Sequence, residues 1–429
     1  MTLGISSPTP KVCVVLSVAV LLVTTACFAA DVRVFPGAEG FSNQTPAGTD
    51  GRVIKVTSLK ADGPGSLAAA IEAKSPRLVV FEVAGVIDLD GKTIRVSEPF
   101  LTVAGQTAPS PGITLIRGGL SIGTHDVLIQ HIRVRPGDMG RAKRSGWEPD
   151  GISTDAAKNV VIDHCSVTWA VDENLSASGP RLEGPEKTSS RITFSNCIIA
   201  EALNNSTHTK GMHSKGSLIH DSCREIAVLG NLYAHNVDRN PYFKAGATGV
   251  IVNNVIYNPG YAAIKLSYVP EEWSGASTRP ENARVAIIGN VMLGGANTPL
   301  GLPLVSGGYG DAYFEDNLAN GRDGKSAELK ASVIGTLKEK PVWPTGLSAL
   351  PAARVLESVM QNAGARPWDR DTNDTRIISD LKNRKGHVIN SQEEVGGYPS
   401  ISPVNRALNV PDTNRRDWLA GLCKPAGPN

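Results

Sequence analysis

Aromatic side chains are scarce: Phe, Trp and Tyr make up 5% of the 429 residues, against 44 glycines. A core built on stacked rings is excluded, and aliphatic strands joined by many turns are implied. Charge of one sign is also missing. The formal net charge is +2, so no global field draws the chain to nucleic acid or to a membrane surface, and an anionic ligand must be met by a local basic cluster. Only one long hydrophobic run exists, the 14 residues from Val12 to Thr25. It follows Lys11, is too short to span a bilayer comfortably, and leads into Ala26-Cys27-Phe28-Ala29-Ala30. This reads as a secretory signal peptide over residues 1–29. Thr24-Thr25-Ala26-Cys27 leaves a lipoprotein anchor at Cys27 open. The expected mature chain is secreted, extracellular or periplasmic, free of the membrane after processing, and monomeric.

What is present is a repeat. Between about 125 and 320, short aliphatic strands alternate with tight polar turns. Val160–Val167, Ile192–Ile199, Ile226–Tyr233, Val250–Ile256, Ala286–Val291 and Phe314–Leu318 align on one position, which reads Cys165, Cys197, Asn231, Asn254, Asn290, Asn317. The shortest interval is 23 residues, and longer ones are explained by loop insertions. This is the spacing of one coil of a parallel β-helix per unit, where each coil buries its apolar face only by stacking on the next. Asn at the repeated turn tolerates left-handed backbone and passes amide hydrogen bonds from coil to coil. The fold class predicted is all-β, a right-handed parallel β-helix over 30–340. An Ala-rich helix near Ser66–Ala73 caps its N-terminal end, and a partly helical tail, 341–429, packs along the outside with helices near Ala352–Ala363 and Asp374–Asn383. Arg181–Ser190 is expected as a polar loop between coils. On such a scaffold Cys165 and Cys197 stack as reduced core residues, since adjacent strands lie about 4.8 Å apart, beyond the roughly 3.8 Å Cβ separation of a disulfide. The pairing of Cys223 and Cys423 stays open.

Three features carry chemistry. Glu148-Pro149-Asp150-Gly151 and Asp172-Glu173 each follow a strand of neighbouring repeats, so their acids can meet and offer hard oxygen ligands for Ca²⁺; solvated turn acids look the same in sequence. Asp238-Arg239-Asn240-Pro241 with Lys244, and Lys210 to Lys215 with His208 and His213, supply cations near that cluster. They suit an anionic polymer bridged by a cation, though an ordinary basic surface would read alike.

Together these residues resemble a family. Val161-Ile162-Asp163-His164-Cys165-Ser166 is similar to the "WIDHCS" strand of pectate lyases in polysaccharide lyase family 1. Phe35-Pro36-Gly37-Ala38-Glu39-Gly40-Phe41 and Ala104-Gly105-Gln106-Thr107-Ala108-Pro109 resemble its fungal branch. The resemblance implies a lyase acting on pectate or polygalacturonate by Ca²⁺-assisted β-elimination to 4,5-unsaturated products. It implies Asp150 and Asp172 as calcium ligands, Arg239 of the Arg-x-Pro signature as catalytic base, and Lys215 as a grip on the substrate carboxylate. Lys244, Lys210 and His213 are the further substrate-binding candidates. The chain departs from the pattern twice. Ser176 stands where a third calcium acid is usual, leaving Glu173 to replace it, and Lys244 stands where a second substrate-binding arginine is usual, losing bidentate geometry. Two alternatives stay open: a β-helix hydrolase of the polygalacturonase kind, disfavoured because no Asp-Asp pair or Gly-His-Gly occurs, and a non-catalytic glycan-binding β-helix.

Overall fold

The strands are short, three to six residues for the most part, and rich in Val and Ile, which fit a pleated surface buried on one face. In the computed structural model, which describes residues 1–5, 8, 9, 33–74, 76–276 and 278–423, they stack into three long sheets. Among the described residues these hold eleven, eight and ten strands. All pairings within them are parallel except one at the end of the ten-stranded sheet. One coil runs from Ile152–Asp155 in the eight-stranded sheet, through Lys158–Asp163 in the eleven-stranded sheet, to Ser166–Thr168 in the ten-stranded sheet. The register keeps like on like: Val160 pairs with Val127 and Ile192, and Ile162 with Ile129 and Phe194. The predicted right-handed parallel β-helix is the fold. From Arg33 onward the described residues form one compact unit. The expected signal-peptide core and Cys27 lie outside the described residues.

The repeat position stacks as aligned. Cys197, Asn231, Asn254 and Asn290 donate their backbone N–H to the side-chain oxygen of Asn231, Asn254, Asn290 and Asn317 in turn, at 2.8–3.1 Å. Cys165 N–H points to Cys197 Sγ at 3.4 Å, and both thiols are free and buried. One detail differs from the sequence reading. The left-handed residue is the one before the ladder: His164, Asn196, Gly230, Asn253, Gly289 and Asp316 have φ between 46° and 67°. The ladder asparagine is selected for its amide, which fills two roles at once, and its neighbour makes the turn.

Capping follows expectation. Helix α1 (Leu67–Glu72) is N-capped by Ser66, whose Oγ accepts from Ala69 N–H, and buries Leu67, Ala70 and Ile71. Arg181–Ser190 holds two single 3₁₀ turns and then enters a strand at Ser190. The tail bears α2 (Ala352–Asn362), α3 (Thr372–Asn383) and α4 (Arg415–Gly421). Val355, Val359, Ile377 and Leu381 cover Leu232, Val255, Tyr257 and Leu293 on the outside of the ten-stranded sheet. Beneath them, the fully buried Arg133 and Arg135 meet Asp371 and Asp374 at 2.6–3.4 Å. The chain then runs back to the first coils, where Val404–Asn405 pairs antiparallel with Val83–Ala84 and Leu408 and Leu419 pack on Leu78 and Val80. Among the described residues no helix is long and apolar enough to cross a membrane.

Candidate active site

The acidic ends do converge. Parallel pairing sets Ile152 beside Leu175, and Gly151 N–H donates to Glu173 O, which carries Asp150 onto the next coil's Asp172-Glu173. Asp150, Asp172 and Glu173 each bring a carboxylate oxygen within 4.8 Å of the others. Asp150 Oδ1 accepts from Glu173 N–H at 3.0 Å and Oδ2 from Ser176 Oγ at 2.9 Å. Burial, followed by the Asp172 charge, pushes the Asp150 carboxyl up to about 7 despite the Ser176 bond. Ser176, standing where a third acid is usual, thus orients one of the acids, a role the sequence did not suggest. Three crowded carboxylates of this kind form a donor set for a hard divalent cation.

Asp172 is held differently. Burial raises its pKa, but the His213 hydrogen bond and the charges of His213, Arg239 and His208 together outweigh that and keep it below the usual carboxylate range. His213 Nε2 donates to Asp172 Oδ1 at 2.7 Å, and its ring stacks on His208 at 3.8 Å. His208 Nδ1 accepts from Lys210 N–H, so its Nε2 carries the proton, 3.9 Å from the same oxygen. His213, expected to touch substrate, is therefore directed at Asp172.

Arg239 sits in left-handed backbone, φ 64°, where long side chains are uncommon. Its guanidinium pairs with Glu173, so base candidate and acid trio share one carboxylate. Burial depresses the Arg239 pKa, against the opposing pull of Asp172, Tyr242 and Asp150. Glu173, Lys215 and Asp238 follow one another in register, and Lys215 Nζ lies 3.3 Å from Asp238 Oδ2. Lys210 is exposed on the loop beside Glu148, whose carboxylate accepts from Thr209 N–H at 2.6 Å. Lys244 is paired with a different set of acids. Its ammonium meets Asp221 at 3.0 Å and Glu272, and its side chain is 5% exposed. Two residues beside Arg239 that the sequence reading missed are Tyr242, whose ring lies 5.9 Å from the guanidinium, and Lys265, 3.4 Å from Asp238 Oδ2. Only the strand register could have found them.

The motif that carried the resemblance is structural. Asp163, on the eleven-stranded sheet, accepts from Ser195, Asn196, Gln130 and His164, while the converging acids and cations line the eight-stranded sheet. A parallel β-helix bearing three carboxylates and a half-buried arginine along one sheet places this chain among the β-helical enzymes. No protein-family model matches it. It is 32% identical over 385 residues to the probable pectate lyase C of Aspergillus flavus, covering 86% of this chain and 82% of that one. It is 28% identical over 236 residues to pectate lyase 5 of Ambrosia artemisiifolia, covering 51% and 55%. The chain belongs to the pectate lyase family, and is a lyase. Its fold is that of the cedar pollen allergen jun a 1, with TM-score 0.56, 17% identity and coverage of 76% and 92%. It is also that of a pectate lyase solved bound to a hexasaccharide, with TM-score 0.54, 14% identity and coverage of 79% and 99%.

Proposed function

We propose that this enzyme cleaves polygalacturonate by Ca²⁺-assisted β-elimination outside the cell, giving 4,5-unsaturated oligogalacturonates. The observation that carries the reading is the contact between the acid trio and Arg239 through Glu173. Asp150, Asp172 and Glu173 would hold Ca²⁺, as hard oxygens already close together and in need of a countercharge. Bound there, the ion would draw negative charge from the substrate carboxylate next to the reacting carbon. His213 and Ser176 fix the direction of Asp172 and Asp150, and Lys215 offers its ammonium to the uronate carboxylate. Lys210 stands on the exposed rim as a long-range attractor.

Arg239 is the base for the proton on C5, the carbon bearing the carboxylate, and the C4 oxygen leaves. An arginine must be neutral for this, and its ordinary pKa exceeds about 12. Burial acts in the required direction, so the rate should rise on the alkaline side.

Incubating the mature protein with polygalacturonate tests the reading. Ultraviolet absorbance of unsaturated ends should grow with Ca²⁺, stop with a chelator and resume on adding calcium back. New reducing ends without absorbance would mean hydrolysis, and neither signal would mean a glycan-binding protein.

A further inference from the structure

We infer that Lys265, with Tyr261 and Tyr242, forms a second uronate-binding subsite one coil beyond Arg239. The inference rests on the proposed substrate class. It assigns to Lys265 the carboxylate contact that the sequence pattern assigned to Lys244.

Charge and exposure separate the two lysines. Lys244 has two carboxylates, Asp221 and Glu272, and is 5% exposed in its side chain. A buried cation so compensated has no charge left for a ligand. Among the described residues Lys265 has one acid partner, Asp238 Oδ2 at 3.4 Å, and that same oxygen already serves Lys215 at 3.3 Å. One carboxylate faces two ammoniums, so Asp238 does not fully compensate either lysine. The Lys265 side chain is 23% exposed, against 15% for Lys215 and 19% for Arg239.

Its direction is fixed by the strand. Ile264 and Leu266 are buried in the core, so Lys265 between them points outward, in register with Tyr242 on the previous coil. Its Nζ lies 4.9 Å from the Tyr242 ring centre and 5.4 Å from that of Tyr261. Tyr261 is 67% exposed, an amphipathic residue open to a ligand. The segment is tied to the turn that carries Arg239: Ala262 N–H donates to Val237 O, and Asn240 N–H to Ala263 O, both at 3.1 Å. The ligand these groups fit is a pyranuronate, its carboxylate on Lys265 and its C–H face on Tyr261. A methyl-esterified sugar lacks the charge, so the subsite selects for de-esterified chain.

Kinetics and binding test this together. On polygalacturonate, Lys265→Ala should raise KM about tenfold with kcat within about twofold, the signature of lost uniform binding, and Lys265→Arg should recover most of it. Tyr261→Ala should raise KM in the same sense. For a fully methyl-esterified trigalacturonate, the affinity gap between wild type and Lys265→Ala in calorimetry should close. Calorimetry of trigalacturonate should show the same tenfold loss without turnover. An unchanged KM in Lys265→Ala, an equal affinity loss on the esterified trimer, or a KM rise in Lys244→Ala alone overturns the subsite. Absence of unsaturated product from the wild type would instead overturn the elimination reading, and the calorimetric comparison would still decide for or against Lys265.

Discussion

Arg239 is under two opposed demands. A base needs a vacant lone pair, yet Glu173 is paired with the guanidinium and stabilises its charge. Lysine at this position keeps the charge but loses reach and geometry. Arg239→Lys should therefore lose kcat by about a thousandfold or more while oligogalacturonate still binds by calorimetry. A variant keeping more than about a tenth of wild-type turnover, a barrier change under roughly 1.4 kcal/mol, would reduce Arg239 to an ion-pair residue. Asp150 makes a pH prediction. Its folded pKa, about 7, stands above the unfolded value near 4. In metal-free protein the stability it contributes is full below about pH 4 and is lost as pH rises to about 7. Calcium pulls the other way, since binding must expel the proton. Calcium affinity should be weaker at pH 6 than at pH 8. At pH 6 the binding heat should scale with the buffer's ionisation enthalpy, and Asp150→Asn should abolish that scaling. Unchanged proton release in the variant would place the titration elsewhere.

The unit of the fold is the coil corner. Each ladder asparagine accepts from the N–H of the ladder residue one coil back and donates Nδ2 to a carbonyl of that preceding coil. Asn254 accepts from Asn231 and donates to Val228 O and Val252 O. All of these groups are buried, so truncation orphans several at once. Asn254→Ala should cost about 2–4 kcal/mol, read as a lower urea midpoint with little change in slope. A loss below about 0.5 kcal/mol would mean that water replaces the amide. Asp, whose side chain accepts but cannot donate, should recover part of the loss. The interval arithmetic found this ladder because parallel pairing in register stacks equivalent residues. It misassigned the left-handed position by one, because Asn suits both the turn and the ladder and residue type alone does not separate them.

Across the whole molecule the tail decides how the solenoid is closed. It covers the ten-stranded sheet with α2 and α3, and returns to the first coils with α4. Its attachment is ionic as well as apolar: Asp374 accepts from Ser166 Oγ at 2.7 Å and faces both buried arginines. Removing one partner of such a network leaves uncompensated buried charge, at about 3–5 kcal/mol. Asp374→Ala should loosen the tail, seen as faster proteolysis after residue 341 and a lower unfolding temperature. Unaltered proteolysis would mean that the apolar contacts suffice.

The sequence by itself determined the parallel coil, the ladder, the reduced cysteine pair, the helical tail and the acid trio. Each rests on short-range pattern or on register, and register follows from repetition. What only tertiary structure decided is where long side chains end. Lys244 follows the strand Tyr242–Phe243 and Lys265 lies on the next, Ile264–Leu266; segments carrying Glu272 and Asp221 bury one, and a shared Asp238 leaves the other open. His213 turned to Asp172 and Ser176 to Asp150 for the same reason: their partners come from other coils. A flexible side chain goes to the nearest compensating charge, and which charge is nearest is set by loops whose lengths carry no periodic signal.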